Sequence, residues 1–413
     1  MGSSYPFFSD PNSWRSLSLD LLLLSAPWIA VFAYLLVFFR NPRKLPPVSL
    51  PERGEPPLVS VIVPARNEEM NIGSCVESLV ASDYPAFEVL VVDDQSQDRT
   101  REIVRKIAEQ NRQAVRLVAG ESLPGGWFGK PWACWQGAKE AKGDLLLFTD
   151  ADTVHSPDLL GRVVRGLRED QADALTVIGR QVMGSFWEQL IQPQFFMLLA
   201  GRYPRTDRPR KPRHWRHAIA NGQYLIFKRE VYEAMGGHEA VAGEVVEDLR
   251  LAQILVRGGW MLSVRQADGL RTRMYRSLSG LVEGWSKNVA TAALQTTPGW
   301  MLPIILPLSF FSGILLWVLP PAVLAVSVFT GARGLAMAWS AVATGLGLFL
   351  WTQASIRLKG NPFMGLLFPL GAIAGLYIFT RSWLGGTRIR WKGREYRMAI
   401  DQGERSPPSG SDQ

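Results

Sequence analysis

The chain is poor in cysteine: its 413 residues include only Cys75 and Cys134. That is too few for a disulfide scaffold or a zinc site, and it fits a reducing compartment for the part that holds them. No Gly-x-Gly-x-x-Gly fingerprint and no Walker A lysine loop occur, so dinucleotide binding and P-loop hydrolysis both lack their signatures. Charged residues are scarce at 20%, while 47% are hydrophobic, which excludes intrinsic disorder. The charge present leans basic, 45 Lys and Arg against 37 Asp and Glu, for a formal net charge of +8. The length allows two or three domains. With cysteine so rare, any metal must be sought among carboxylates.

Apolar residues come in blocks. Leu21 to Phe39 is a stretch of about 19 uncharged residues, close to the roughly 20 needed to cross a ~30 Å hydrocarbon core. Asp10 and Asp20 precede it and Arg40, Arg43 and Lys44 follow, the opposite of a signal peptide's basic start, so it is expected to stay as an anchor. The positive flank places residues from Arg40 onward in the cytoplasm. Further apolar blocks run from Met301 to Thr330, Leu335 to Ile356 and Pro362 to Thr380. Three crossings there would put the basic stretch Arg381 to Arg397 outside, against the positive-inside rule. An even number is therefore expected, either because the first block is a hairpin broken at Pro320-Pro321 or because one block is re-entrant or interfacial. The domain expectation is an anchor over 1–45, a cytosolic domain over 46–290, three or four membrane helices over 291–385, and a basic, then disordered, tail over 386–413.

The middle of the chain alternates between two periodicities. LVSVIVPA (Leu58 to Ala65), FEVLVVDD (Phe87 to Asp94), VRLVA (Val115 to Ala119) and DLLLFTDAD (Asp144 to Asp152) read as buried strands, and NGQYLIF (Asn221 to Phe227) as another. Asn67 to Ser82, Asp98 to Asn111 and Trp132 to Ala141 have helical spacing. Such alternation predicts an α/β domain with a doubly wound, mostly parallel sheet and ligands at the carboxyl ends of the strands. Three acidic groups stand out: Asp93-Asp94, Asp150-Ala151-Asp152 and Glu247-Asp248. Two of them end apolar strands. Asp-x-Asp there puts alternate side chains on one face, spaced for a hard divalent cation that shares oxygen ligands with substrate phosphates. Taken singly, each Asp is also an ordinary turn or cap residue; it is the convergence on one sheet edge that favours a site. Lys130, in the glycine-rich GGWFGKPWA, has the reach to meet a phosphate or simply to be solvated.

These elements together resemble the inverting, metal-dependent family 2 glycosyltransferases of GT-A fold. VSVIVPARNEE, VVDDQSQDRT, TDAD and VVEDLRLAQILVRGGW match that family's segments in order, across roughly Leu58 to Asn288. LPGGWFGKPWACWQGA and the apolar frame are most similar to lipid-modifying members, the hopanoid-associated, carotenoid and ceramide enzymes, and IRWKGREYR is similar to the end of the ceramide enzymes. The resemblance implies roles residue by residue. Asp94 and Asp93 would bind base and ribose, with Pro64, Arg66 and Glu68 closing over the nucleotide. Lys130 would contact diphosphate or sugar. Asp152 would be the principal ligand of a divalent metal, Mg²⁺ or Mn²⁺, with Asp150 toward the metal, ribose or sugar. Asp248 would be the general base, with Glu247 holding the acceptor site beside it.

The polymerising members carry Gln-x-x-Arg-Trp before their C-terminal helices, whereas this chain has EGWSKN, Glu283 to Asn288. The arginine is absent, which disfavours processive synthesis. Trp285, Lys287 and Gln223 remain acceptor candidates, the first two alternatively marking the membrane interface. Phe186 to Leu199 is too short and polar to span and is expected to lie in that interface, beside the basic loop Arg202 to His217. His214 and His217 have metal-ligand spacing but no third ligand nearby. The expected protein is a membrane-bound enzyme moving a sugar from a nucleotide-sugar donor, UDP-linked, to a lipid acceptor, with no nucleic acid partner. A polysaccharide synthase and a nucleotide-binding transporter or scaffold are the rivals.

Overall fold

The structure is a computed structural model and describes residues 11–38, 43–47, 55–203, 212–385, 388–391 and 394–397. Asp10, Arg40, most of the proline-rich linker, much of the basic loop after Arg202 and the tail from Asp401 lie outside the described residues.

Helix α1 (Pro11–Phe38) leads to β1 (Arg43–Lys44) and then to the expected βαβ pattern. Its elements are β2 (Val59–Ala65), α2 (Ile72–Val80), β3 (Phe87–Asp93), α3 (Thr100–Gln110), β4 (Val115–Ala119), α4 (Gly129–Glu140) and β5 (Leu145–Phe148). Strands β5, β2, β3 and β4 pair side by side in parallel. The second half adds β6 (Thr153–His155), α5 (Leu159–Glu169), β7 (Ala174–Gln181), α6 (Phe186–Arg202), β8 (Leu225–Lys228), α7 (Arg229–Ala234), α8 (Glu247–Arg257), β9 (Leu262–Thr272) and α9 (Leu278–Thr296). Strand β8 runs antiparallel between β5 and β7, giving the order β1-β9-β7-β8-β5-β2-β3-β4.

Alternation along β2 builds two cores, because successive side chains leave opposite faces of the sheet. Val59, Val61 and Val63 pack with α2, α3 and α5 residues such as Val76, Val104 and Leu160. Ile62 packs on the other face with Cys134 of α4, Val231 of α7 and Leu255 of α8. The sheet is thus covered on both sides, which is why its strands read as continuous apolar runs.

The strand expected over Asp144 to Asp152 stops at Phe148, so Asp150 and Asp152 stand in the turn before β6, and two further boundaries differ. The helix expected from Asn67 begins only at Ile72, because Asn67 adopts a left-handed φ of 52° that no helix accommodates. The strand expected from Asn221 is shortened to β8, because Asn221 folds back locally, its Oδ1 accepting from Gln223 N and its Nδ2 donating to Val177 O.

The C-terminal part contains α10 (Leu302–Gly313), α11 (Leu319–Thr330), α12 (Leu335–Arg357) and α13 (Phe368–Leu384), then the hairpin of β10 (Arg388–Trp391) and β11 (Arg394–Arg397). Three helical stretches are long and apolar enough to cross a membrane: Gly299–Thr330, Leu335–Arg357 and Pro362–Leu384. The first is no hairpin at Pro320-Pro321. A π-helical turn over Ile314–Val318 absorbs the mismatch, and the prolines fall in the opening turn of α11, where a missing N–H is tolerated. Helix α1 joins this group through Trp28, whose Nε1 donates to Leu316 O at 2.9 Å and whose ring meets Trp339 edge-on.

Candidate active site

The carboxyl ends of β2, β3 and β5 face one crevice, as parallel topology requires. Asp93 closes β3. Its Oδ1 accepts from Ser96 N at 3.2 Å and its Oδ2 faces Arg101 Nε at 3.5 Å. Asp94 follows, buried, with its carboxylate in the guanidinium fork of Arg394. Burial pushes Asp94 above the usual carboxylate range, and Arg394 offsets only part of that. The loop after β2 is zipped to this turn. Arg66 Nη1 donates to Asp94 O and Gln95 O, Asn67 N donates to Ser96 Oγ, and Glu68 N donates to Thr100 Oγ1. Pro64, in β2, lies opposite Val92 in the parallel register. The stretch from Pro64 to Glu68 and the acidic turn are therefore one wall.

The other wall is built around Lys130, in the first turn of α4. Its Nζ stands 2.7 Å from Asp150 Oδ1 and 2.7 Å from Glu247 Oε1. Burial works against this ammonium, but Asp150, Glu247 and Asp248 overcome it and hold Lys130 well above the ordinary lysine value. Burial likewise raises Glu247, and Lys130 more than reverses this, so Glu247 stays ionised. Asp248, beside it, takes the opposite course. Its Oδ2 accepts from Gly222 N at 2.7 Å and its Oδ1 from Leu249 N at 2.8 Å, yet burial and then the Glu247 charge push it up to about 6. Two adjacent carboxylates thus differ in proton affinity, the arrangement that separates an ionised anchor from a proton acceptor.

Asp152 is the third feature. Burial, then the Asp150 and Glu68 carboxylates, push it up to about 8, and its Oδ1 is buried with no hydrogen-bond partner. An orphaned carboxylate oxygen among like charges is what a divalent cation relieves. Among the described residues no group of three or more His, Cys, Asp and Glu is placed to hold a metal by itself. Asp150 and Asp152 fit an ion that takes its remaining oxygens from a ligand and water. Behind them Thr153 Oγ1 donates to Asp150 O at 2.6 Å, and buried His155 lies within 3.2 Å of Thr153 Oγ1 and 3.1 Å of Thr149 Oγ1. Burial pushes His155 down to about 3, so it is a neutral strut under the acidic loop.

The acceptor candidates divide. Gln223 is buried beside this loop, its Oε1 held by Gln181 Nε2 at 2.9 Å. Lys287 is half-buried on α9, pushed down to about 8 by burial, within electrostatic reach of Glu247, Asp150 and Asp248. Trp285 does not present a free face. It is buried, with Phe195 stacked on it at 4.4 Å and Phe196 against its edge, so the stacking surface expected for an acceptor is occupied by α6. Among the described residues His214 and His217 join no ligand cluster; His217 Nδ1 is 2.9 Å from Arg202 Nη1. Sequence reasoning missed Gly222, His155 and Arg394. An Asn-Gly pair and an isolated histidine carry no signal of their own, and Arg394 lies 300 residues from its partner.

The sheet order, the acidic crevice and the lysine bridging two carboxylate loops define a GT-A glycosyltransferase domain. Residues 60–236 match the family described as Glycosyl transferase family 2, so the chain carries a glycosyltransferase domain of that description. It is 27% identical over 359 residues to the 4,4'-diaponeurosporenoate glycosyltransferase of Staphylococcus aureus, covering 83% of this chain and 89% of that one. The enzyme of the same name from Staphylococcus haemolyticus is 28% identical over 254 residues, 60% of this chain and 65% of its own. In fold, the chain is similar to the mannosyltransferase PcManGT of Pyrobaculum calidifontis, solved with GDP-Man and Mn²⁺. The TM-score is 0.55 and the identity 22%, over 89% of this chain and 98% of that one.

Proposed function

We propose that the enzyme moves a sugar from a UDP-linked donor to a hydroxyl or carboxyl of a lipid acceptor, with inversion, at the cytoplasmic face of a membrane in which its apolar helices sit. The observation that carries this reading is the pair Glu247-Asp248, one carboxylate neutralised by Lys130 and the other raised to about 6 at the mouth of the acidic crevice. The three apolar stretches and the carotenoid-acid relative favour a lipid acceptor over a soluble one.

In this mechanism the wall from Pro64 to Glu68, with Asp93 and Asp94, receives the nucleoside. Lys130 stands where the diphosphate leaves, so its ammonium meets charge that develops as the bond to the sugar breaks. A divalent ion at Asp152 and Asp150 would add charge neutralisation for the same leaving group. Asp248 takes the proton of the acceptor hydroxyl as that oxygen attacks the anomeric carbon. Its raised value suits the task, since a base poised near the working pH accepts a proton more readily than an ordinary aspartate. Glu247, kept ionised, holds Lys130 in place, and Lys287 and Gln223 line the acceptor side. Below pH 6 Asp248 is protonated and cannot act, so kcat/KM with a hydroxyl acceptor should fall about tenfold per pH unit there. Asp248→Asn should remove that limb together with activity, about 10³-fold or more. Full transfer by Asp248→Asn, or a flat profile between pH 5 and 7, would refute Asp248 as the base.

A further inference from the structure

Strand β11 brings Arg394 back across the molecule to the acidic turn that follows β3. Its guanidinium grips both oxygens of Asp94, Nη1 to Oδ2 at 2.6 Å and Nη2 to Oδ1 at 3.1 Å, and Nη2 also meets Gln95 Oε1 at 3.3 Å. The contact is mostly withdrawn from solvent, the side chains being 17% and 5% exposed. A two-pronged Arg–carboxylate contact fixes orientation as well as charge, and at this burial it is far less screened than a surface pair. Asp94 is thereby held in one position.

The location of the contact gives it a role beyond stapling the chain end. Asp94 stands on the wall formed by the β2 loop and the acidic turn, and the crevice behind it contains Asp93, Glu68, Asp150 and Asp152. A nucleoside diphosphate entering such a site brings more negative charge, and each carboxylate left unbalanced opposes it. Arg394 balances the carboxylate nearest the nucleoside end. A guanidinium plane in that position also suits a base carbonyl or phosphate oxygen.

We propose that Arg394 is a positioning residue of the donor site, orienting Asp94 and offsetting its charge when a nucleoside diphosphate binds. This rests on the nucleotide-sugar reading above. The test titrates UDP and GDP, each with Mn²⁺, into the full-length protein in detergent, comparing wild type with Arg394→Ala, Arg394→Lys, Asp94→Asn and Arg394→Ala/Asp94→Asn. Expected are about tenfold weaker nucleotide binding in Arg394→Ala, partial recovery in Arg394→Lys, and a double variant no weaker than the worse single one. In turnover the loss should fall on the donor KM more than on kcat, with the melting temperature held. Nucleotide affinity equal to wild type in Arg394→Ala overturns the inference, as does tighter binding, which would make the hairpin a plug. A loss that tracks a lowered melting temperature and is not recovered by lysine also overturns it, leaving only a structural staple. If wild type binds neither nucleotide and transfers no sugar, the nucleotide-sugar reading itself falls; if wild type binds and Arg394→Ala is indifferent, only the present inference does.

Discussion

At the scale of single residues, the site is built around a close backbone approach at Gly222. Gly222 N donates to Asp248 Oδ2 at 2.7 Å, and a Cβ at this position would stand 3.0 Å from that oxygen and 3.0 Å from Lys130 Nζ. An added methyl must push either the carboxylate or the ammonium, and sub-ångström displacement of reacting groups is costly. Gly222→Ala is therefore expected to lower kcat about tenfold or more while the melting temperature stays near wild type, as read by steady-state kinetics beside a thermal melt. An unchanged kcat would contradict the geometry. This residue also marks where the sequence stops being legible. Asp94, Asp150 and Asp152 announce themselves together, because they follow apolar strands at the same end of one mostly parallel sheet, although each taken singly is also an ordinary turn residue. Gly222 acts on a partner 26 residues away and Arg394 on one 300 residues away, with no local pattern at either end.

At the scale of elements, the sheet edge nearest helix α1 is tied by a buried ion pair. Arg265 of β9 is 3% exposed; its Nε donates to Asp170 Oδ2 at 2.8 Å and its Nη1 to Lys44 O at 2.9 Å. Asp170 ends α5, so one guanidinium joins helix α5, strand β9 and the short β1 that follows α1. Burial opposes the Asp170 charge, but Arg265 and Ser263 outweigh it and hold this carboxyl below the usual range. The sign follows: the contribution is fully present above about pH 4 and fades as pH falls through the lowered value. Asp170→Ala strands a buried guanidinium, which costs about 3–5 kcal/mol. The melting temperature should drop on the order of 5–10 °C at pH 7; a shift within a degree of wild type would show that the pair is not doing this. In the sequence GLREDQADA Asp170 looks like one more solvated helix end, since burial on this edge arises only when β9 crosses over from residue 262. The βαβ alternation before Asp152 was readable from periodicity. The later mixed half, with β8 reversed, was not, because an antiparallel insertion leaves no mark in apolar spacing.

At the scale of the whole molecule, contacts with the catalytic domain bear on how many crossings the proposed membrane reading requires. Gln295 bonds Glu244 at the end of α9, and Lys359 bonds Asp268 just after α12. Between them lie two long apolar helices, so on the proposed membrane reading the chain goes out and returns. Asn361 N bonds Gln189, and Arg394 bonds Asp94. Between these points there is only α13, and a single helix with both ends on one side does not cross. It lies against α6 and α9, with Ser382 Oγ accepting from Ala290 N at 2.9 Å and Gly371 packed on Gln194. The charge rule asks for an even count, whereas hydropathy gives α13 the same weight as the other two. Cysteines placed at Gly331 and Gly385 separate the alternatives, since Cys75 and Cys134 are buried and give a quiet background. An impermeant maleimide should label Gly331→Cys from the far side and Gly385→Cys from the catalytic side. Far-side labelling at Gly385→Cys would mean that α13 crosses.

On the proposed reading this architecture sets a sugar-transfer site beside a membrane surface, and that central claim is tested most directly by nucleotide release. The full-length protein in detergent, with Mn²⁺ and a panel of UDP- and GDP-sugars, would be assayed with and without polar and apolar lipid extracts, Asp248→Asn serving as control. The account predicts UDP release that lipid stimulates several-fold, a glycolipid product carrying one sugar, and loss of both in Asp248→Asn. Release that no lipid stimulates, or a long soluble polysaccharide as product, would contradict it.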